Sequence, residues 1–301
     1  MHHDLCFAWN WEYDADFAGV LTTTAEEQGV SLLQVTPSNL DATGEELRTG
    51  QTSFGTLFDR ASDSDPHFLH LSTWAAEHNA ANINPHHKAQ RAWDKATMHL
   101  EFLSAGLVVP YTIILPPFSQ QAELPSLDLA PLNGCFSIKP AGLGGGDGVV
   151  NHAHSFEQVQ AARQEYPEHK YLLQAHVTPV AHGAHAPWFR VLYCCGETLP
   201  SWWDVDSHRY TPFGSGPESG HARSALVSLM ARIAEVCGLG LFSTEVALTS
   251  SYELVAVDYV NEPPDLRLQS RAVDGVPDSI VEAIARRIVA VAAQTSRHRS
   301  A

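Results

Sequence analysis

A glycine-rich loop behind a short strand constrains this chain more than any other feature. The run Cys135–Lys139 alternates apolar and polar residues, as a strand does, and Pro140 follows its lysine. Five of the seven residues from Gly142 to Gly148 are glycine. Glycines let backbone amides approach phosphate oxygens closely, and a preceding lysine can neutralise their charge. The segment predicts a phosphate-binding loop, with an ordinary glycine-rich turn as the alternative.

The order of residues around this loop excludes two common phosphate motifs. A P-loop places its lysine after the glycines, whereas Lys139 precedes them. A dinucleotide fingerprint opens a helix, whereas Val149–Asn151 has the composition of extended chain. We therefore expect a hairpin whose glycine-rich tip lies over a triphosphate.

The pattern of the first 85 residues is typical of a small parallel α/β unit. It predicts the helix Asp14–Gln28 and the strands Leu5–Trp9, Val30–Val35 and Phe68–Leu71.

The rest of the chain continues as mixed α/β, with antiparallel strands in its second half. Ser155 and Gln158 have the spacing of a capping box, which predicts the start of a helix. The other predicted helices are His86–Leu103, Ser224–Val236 and Asp278–Ala293. The predicted strands are Val108–Leu115, Tyr171–Gln174, Trp188–Cys195, Trp202–Asp204, Leu241–Leu248 and Tyr252–Val257.

Acidic and amide side chains collect on the last two predicted strands. Glu245 lies in the first of them, while Asp258, Asn261 and Glu262 lie at the end of the second. Mg²⁺ prefers hard oxygen ligands and completes its shell with substrate phosphates. Glu245, Asp258 and Asn261 are the predicted metal ligands, with Glu262 as an alternative to them. Solvated acids at strand ends are the plainer interpretation.

Together these segments resemble the ATP-grasp superfamily, which includes D-alanine–D-alanine ligase, biotin carboxylase and peptide-forming carboxylate–amine ligases. The similarity covers about Asn84 to Pro264. It implies an α/β protein with an ATP-grasp fold of two α+β lobes, preceded by a parallel α/β domain. The implied boundaries are 1–85 for the N-terminal domain, 86–174 for the central lobe with the glycine-rich lid, and 175–301 for the C-terminal lobe with the metal site.

The resemblance also assigns roles to individual residues. Phosphate contacts fall to Lys95, in an Asp-Lys pair followed by Gly106 and Val109-Pro110, and to Lys139. The loop residues are Gly144, Gly145 and Gly146, and adenine would be bound near Gln174, Ala175 and Val177. Arg190 corresponds to an arginine that holds the reacting phosphate, so Arg190, Lys139 and Arg267 form the expected catalytic set.

The chain departs from the family pattern in four places. These are Asp258-x-x-Asn261 in place of E-x-N, Gln174 in place of a glutamate, His182 and His185 where a ribose-binding acid is usual, and Ser243 where some ligases have arginine.

The resemblance implies phosphoryl transfer from ATP to a carboxylate, followed by attack of an amine or another nucleophile on the acylphosphate. ATP and Mg²⁺ are the implied cofactors, with Mn²⁺ as an alternative metal. Two other functions stay open: an ATP-grasp kinase acting on a small hydroxylated metabolite, and a nucleotide-binding protein without catalysis.

Arg267 follows the metal segment and could bind a substrate carboxylate with two parallel hydrogen bonds. An ion pair with Asp265 or Asp274 is the alternative.

Charge and composition narrow the expected partners. The chain has 18 basic and 34 acidic residues, a net charge of −16 with neutral histidines, and no basic cluster that would favour nucleic acid or an acidic membrane. We expect small-molecule carboxylate and amine substrates beside ATP, and leave a homodimer open. Five cysteines without a CxxC pair indicate reduced thiols and a cytoplasmic location. The seventeen histidines show no zinc-binding spacing.

Overall fold

The computed structural model describes residues 1–180, 188–214 and 217–300, and it is mixed α/β as predicted. The helices in these ranges are α1 (Ala15–Glu27), α2 (Leu40–Arg48), α3 (Leu69–Glu77), α4 (His86–Trp93), α5 (Lys95–Ser104), α6 (Phe156–Glu165), α7 (Pro217–Cys237) and α8 (Asp278–Ser300). The strands are β1 (His2–Trp9), β2 (Leu32–Val35), β3 (Ser53–Arg60), β4 (Ala81–Asn82), β5 (Thr112–Leu115), β6 (Phe136–Pro140), β7 (Val150–Ala153), β8 (Tyr171–Ala175), β9 (Trp188–Cys194), β10 (Glu197–Asp204), β11 (Arg209–Pro212), β12 (Leu241–Leu248) and β13 (Leu254–Asn261).

The first sheet has the order β2-β1-β3-β4, and its strands are parallel. Successive side chains of β1 enter two different cores, as the period of a strand requires. Leu5 and Phe7 pack in the core that includes α1 and α8, while Cys6 and Ala8 pack in the core of α2 and α3. A central strand covered on both faces is apolar along most of its length, which is typical of parallel sheets.

The predicted strand Phe68–Leu71 is wrong. Pro66–Phe68 is a 3-10 helix with Pro66 at its start, capped by the Asp65 side chain, which accepts from the backbone N–H of His67. Helix α3 follows it directly. The buried positions Phe68, Leu71 and Ala75 have the spacing of a helix rather than a strand. The third strand in chain order is β3 instead. It contains Thr56, Asp59 and other polar residues, so its sequence lacks the apolar run by which the other strands were predicted.

The second sheet, β5-β8-β6-β7, is antiparallel, and its β6–β7 hairpin carries the glycine-rich loop. The capping box at the start of α6 is present, with the Gln158 backbone donating to Ser155 Oγ at 3.4 Å. The predicted helix His86–Leu103 is in fact broken. Asp94 has extended geometry there and caps α5 by accepting from Thr97 N at 3.0 Å.

The third sheet, β11-β10-β9-β12-β13, is antiparallel, in agreement with the prediction for the second half of the chain. One face packs on α4, α5 and α7 through residues such as Phe189, Phe242 and Val246. The opposite face joins the core of the first sheet at one end, through Leu192, Cys194 and Leu241. At its other end this face carries polar side chains.

No helix in the described ranges is long and apolar enough to cross a lipid bilayer.

The last helix, α8, packs on α1 and β1, so the end of the chain returns to the first sheet. The predicted boundaries at residues 85 and 174 stay predictions.

Candidate active site

Four polar residues form a row across four neighbouring strands of the third sheet. Ser201 on β10 pairs with Arg190 on β9, Arg190 pairs with Glu245 on β12, and Glu245 pairs with Asp258 on β13. Residues directly opposite each other in a sheet point to the same face. Three residues that the sequence singled out, Arg190, Glu245 and Asp258, therefore lie side by side on one face.

A β-bulge brings Asn261 onto this face as well. Glu245 pairs with Asp258 and Ser243 pairs with Asn261, so one residue lies between the pairs on β12 and two on β13. Two residues three positions apart along a regular strand point to opposite faces. The bulge inserts one extra residue between Asp258 and Asn261, so both point to the same face. Tyr259 and Val260 are accordingly buried, while Asp258 and Asn261 are partly exposed. The bulge compensates for the spacing that departs from E-x-N.

Two lysines reach this row from outside the third sheet. Lys95 is the first residue of α5, its backbone donates to Ala141 at 2.9 Å, and its Nζ donates to the Leu143 carbonyl. Lys139 lies on β6. Burial would raise the pKa of Asp258, but Lys139, Lys95 and Arg190 together hold it below its usual range. Cationic groups from α5, β6 and β9 therefore all act on one carboxylate.

The positive charges of the two lysines also oppose each other. Burial lowers the pKa of Lys95, and the charge of Lys139 lowers it further, while Asp258 and Asp94 oppose these effects. An anionic group bound between the lysines would reduce their repulsion. The arrangement is thus suited to phosphate oxygens.

Arg190 is held from two sides. Its guanidinium donates to Glu245 and lies 5.3 Å from the centre of the Trp203 ring, a cation–π contact. Burial lowers the pKa of Arg190, but Glu245, Tyr210 and Asp258 outweigh burial and keep the arginine charged. Its Nε is buried and has no hydrogen-bond partner in the described structure.

The glycine-rich loop is exposed, and only part of it needs glycine for steric reasons. An added Cβ at Gly144, Gly145 or Gly146 would meet nothing within 4 Å, although φ is +63° at Gly145 and +83° at Gly146. Gly148 is more restricted, because φ is +66° and a Cβ would lie 2.7 Å from Cε2 of Tyr166. The tip therefore presents exposed backbone that a ligand can approach.

The predicted adenine segment is partly engaged in the fold. Gln174 is 2% exposed, and its Nε2 donates to Val257 O and Tyr259 Oη, each at 3.1 Å. The backbone N–H of Ala175 donates to Tyr111 O at 2.9 Å. A contact with adenine would fall to the Ala175 carbonyl or to Val177. His182 and His185, which replace the usual ribose-binding acid, lie outside the described residues.

Of the two alternatives for Arg267, the structure shows the ion pair. Its Nη2 donates to Asp265 Oδ2 at 2.7 Å and to Asp274 Oδ2 at 2.9 Å. These bonds raise the pKa of Arg267. All three nitrogens of its guanidinium donate to one of these two aspartates. Arg267 is therefore not free to bind a substrate carboxylate in this structure.

Glu262, the alternative metal ligand, faces away from the row. Its carboxylate accepts from Asn84 Nδ2 at 3.1 Å and from Trp93 Nε1 at 2.8 Å, beside a small cavity that Asp59 and Asp63 also line. Burial raises the pKa of Glu262 to about 7. Asp258 and Asn261 thus lie on the face that carries Glu245, whereas the Glu262 carboxylate is bound to Asn84 and Trp93, and the metal ligands themselves stay a prediction.

A magnesium ion fits the remaining donor set. Glu245, Asp258 and Asn261 offer two carboxylates and an amide oxygen on one face, a set that leaves positions for phosphates and water. Within the described residues no group of three or more His, Cys, Asp or Glu is arranged to bind a metal ion.

Ser201 was not predicted from the sequence to belong to this row, and Ser243 was named only as a departure from the family pattern. Ser201 could have been found from the turn between β9 and β10, where Cys195 and Gly196 have φ of +46° and +97°. A two-residue turn of this kind fixes the register of the hairpin, and counting back from it pairs Arg190 with Ser201.

No protein-family model matches the chain, and no curated protein matches it either. Solved structures do match over nearly the whole chain. A RimK-domain ATP-grasp protein from Sphaerobacter thermophilus is 17% identical with a TM-score of 0.64, and the match covers 93% of this chain and 97% of the other. D-alanine–D-alanine ligase from Bacillus anthracis, solved with ATP, is 10% identical with a TM-score of 0.66 over 99% and 97% of the two chains. This chain has the ATP-grasp fold.

A macrocyclase from Microcystis aeruginosa, solved with its precursor peptide, matches as well. It is 11% identical with a TM-score of 0.65, over 95% of this chain and 99% of the other. At such low identity these similarities establish the ATP-grasp fold and leave the activity of this chain to be argued from its own residues.

Proposed function

We propose that this protein is an ATP-dependent carboxylate–amine ligase. It would transfer the γ-phosphoryl group of ATP to a substrate carboxylate and expose the acylphosphate to an amine. The observation that carries the proposal is the row of Arg190, Glu245 and Asp258 on one face of the third sheet. The charges of Lys139 and Lys95, which lower the pKa of Asp258, support it.

Phosphoryl transfer depends mainly on positioning and on charge neutralisation, so it needs no side-chain nucleophile. In the proposed site Lys95 and Lys139 bind phosphate oxygens, and the exposed amides of Gly144–Gly146 cover them. Arg190, charged and one strand away from Glu245, holds the transferred group in line with the acceptor. A closed loop would also keep water from the acylphosphate.

Glu245, Asp258 and Asn261 would hold the magnesium ion. An ion held there would supply positive charge to the phosphate oxygens of ATP.

Two similarities support the ligase over other ATP-grasp activities. The Bacillus anthracis match is a D-alanine–D-alanine ligase, and the Microcystis aeruginosa match is a macrocyclase bound to a peptide. Both names describe joining reactions. A carboxylate acceptor is therefore the first class to test, with a hydroxylated acceptor as the alternative.

The test is an acylphosphate trap. The protein is incubated with ATP, Mg²⁺, hydroxylamine and a panel of single carboxylates: the twenty amino acids, their N-acetyl forms and short dicarboxylic acids. A ligase releases ADP and phosphate in step with a hydroxamate, because hydroxylamine displaces phosphate from the acylphosphate. Asp258→Asn serves as the inactive control.

Two outcomes contradict the proposal. ADP formed without free phosphate, together with a phosphorylated acceptor, identifies a kinase. ATP binding without turnover on any member of the panel favours the non-catalytic alternative.

A further inference from the structure

Tyr259, the residue after Asp258, has a buried hydroxyl where three elements meet. Its side chain is 1% exposed, and its Oη lies 2.7 Å from His99 Nδ1 on α5 and 3.1 Å from Gln174 Nε2 on β8. His99 and Gln174 are also buried, at 3% and 2% exposed. Three polar side chains that are far apart in sequence thus form one hydrogen-bonded network inside the protein.

The direction of each hydrogen bond follows from the chemistry of its partner. Gln174 Nε2 also lies 3.1 Å from the Val257 carbonyl, which only accepts, so the amide nitrogen donates to both oxygens. Burial lowers the pKa of His99 and raises the pKa of Tyr259 to about 12, so near neutral pH the imidazole is neutral and the phenol is protonated. The Tyr259 hydroxyl therefore donates to His99 Nδ1 while it accepts from Gln174.

Two of these side chains belong to elements that carry charged residues of the candidate site. His99 follows Lys95 by about one turn of α5, and Tyr259 follows Asp258 on β13. Helix α5 packs on β13, where the centres of the His99 and Phe102 rings lie 5.6 and 5.4 Å from the centre of the Tyr259 ring. The hydrogen bond from Tyr259 to His99 therefore restricts how the helix of Lys95 sits against the strand of Asp258.

The third side chain adds the sheet of Lys139. Gln174 pairs with Ser137 on β6, and Lys139 is two residues further along that strand. All three side chains therefore point to one face of the second sheet, the face from which Gln174 reaches β13. The charges of Lys139 and Lys95 both lower the pKa of Asp258, so the electrostatics of the site depend on how these elements pack.

We propose that the Tyr259 hydroxyl is a positioning group for phosphoryl transfer. Through His99 and Gln174 it sets the spacing between the two lysines and the carboxylate of the proposed metal site. This inference rests on the proposed function, and it does not require Tyr259 to touch a substrate. Apolar packing alone would hold the same elements together, but directional hydrogen bonds restrict their relative positions more narrowly. A misplacement of about 1 Å can lower the rate of a reaction about 100-fold.

The experiment compares Tyr259→Phe with Tyr171→Phe. Tyr171 is a matched control, because its side chain is 0% exposed and its hydroxyl donates to Ala162 O at 2.5 Å, a bond that joins β8 to α6. Both changes remove one buried, hydrogen-bonded hydroxyl and keep the ring. Hydroxamate formation with the carboxylate of the panel that gives the wild-type protein the most product yields kcat and the KM for ATP. The melting temperature is measured separately.

Tyr259→Phe is expected to lower kcat about 10- to 100-fold while the KM for ATP stays within about threefold of wild type. The physical reason is that the groups that bind ATP remain, whereas transfer of the phosphoryl group needs them at a narrow spacing. Tyr171→Phe should keep kcat within about twofold of wild type. Both variants should have a lowered melting temperature, because each loses a buried hydrogen bond.

A second pair of variants tests the connection through α5. In His99→Asn the amide oxygen takes the place of Nδ1 and accepts from the Tyr259 hydroxyl, whereas His99→Leu offers no acceptor. His99→Leu should lower kcat about as much as Tyr259→Phe does, and His99→Asn should stay within about threefold of wild type.

The proposal is overturned if kcat of Tyr259→Phe lies within about twofold of the Tyr171→Phe value, even where the melting temperature falls. A rise in the KM for ATP as large as the fall in kcat overturns it too, as does an equal loss of kcat in His99→Asn and His99→Leu. If the wild-type protein forms no hydroxamate with any carboxylate, the ligase function fails, and this inference fails with it. A working ligase that is indifferent to the Tyr259 hydroxyl contradicts the inference alone.

Discussion

The carboxyl group of Glu262 provides a test of the electrostatics beside the proposed site. Burial, assisted by the charge of Asp63, raises its pKa from 4.5 to about 7, against the opposing effects of Asn84, Trp93 and Arg60. Below pH 4.5 the group is protonated in the folded and unfolded states alike. As the pH rises toward 7 the unfolded chain loses this proton first, so the folded state loses stability until both states are ionised. The full loss is about 3 kcal/mol.

Glu262→Gln removes this titration while nearly keeping the shape of the side chain. Its amide nitrogen would face one of two donors, Asn84 Nδ2 or Trp93 Nε1. Asn84 cannot turn over to help, because its Oδ1 already accepts from Gly240 and Leu241 at 2.9 Å. The variant therefore loses about 1–2 kcal/mol, but this loss is the same at every pH.

The assay is urea unfolding of both proteins at several pH values from 5 to 8.5, in buffer without divalent metal. The free energy of unfolding of the variant minus that of wild type should rise by about 2–3 kcal/mol over this range. The variant should be the less stable protein at pH 5 and the more stable one at pH 8.5. Glu253→Gln, at an exposed glutamate, serves as the control substitution away from this cavity. A Glu262→Gln difference constant to within about 0.5 kcal/mol would refute the reasoning.

Four further outcomes are expected. Asp258→Asn should lower ATP turnover at least about 100-fold while calorimetry still detects binding of an ATP analogue; turnover within tenfold of wild type would remove Asp258 from the site. Lys95→Met should weaken nucleotide binding about 10- to 100-fold, whereas Lys170→Met, at a surface ion pair with Asp94, should leave it nearly unchanged. Gly148→Ala should lower the free energy of unfolding by more than about 1 kcal/mol, and Gly144→Ala, where a Cβ meets nothing, should not. Gln174→Met should destabilise the fold by about 1–3 kcal/mol and lower kcat more than ATP affinity, since two buried hydrogen bonds are lost; equal effects on both would contradict a positioning role.

Local sequence signals predicted those parts of the fold that depend on neighbouring residues. The capping box at Ser155 and the strands β9, β12 and β13 of the third sheet were predicted from local patterns, whereas β11 was not predicted. The error at Phe68–Leu71 has a local cause as well, because a four-residue apolar run is compatible with a strand or one turn of helix. Asp65 and Pro66 just before it were the signal for a helix.

Pairing between distant segments could not be predicted in the same way. The spacing Asp258-x-x-Asn261 implies opposite faces in a regular strand, and only the pairing of β13 with β12 shows the bulge that brings both onto one face. The position of Lys95 relative to Asp258 likewise depends on how α5 packs on β13, which is far from it in sequence. Ser201 is the intermediate case, because its pairing with Arg190 follows from a short turn but its burial does not.

Gln174 connects the second sheet, which carries Lys139, to the third sheet, which carries the acids. It lies on β8, beside the strand that carries Lys139, and its amide donates to Val257 and Tyr259, the residues on either side of Asp258. A glutamate there would present oxygens to the Val257 carbonyl and lose that bond, so the change from the family's usual residue suits a connection rather than a nucleotide contact. The second and third sheets are thus joined next to Lys139 and Asp258.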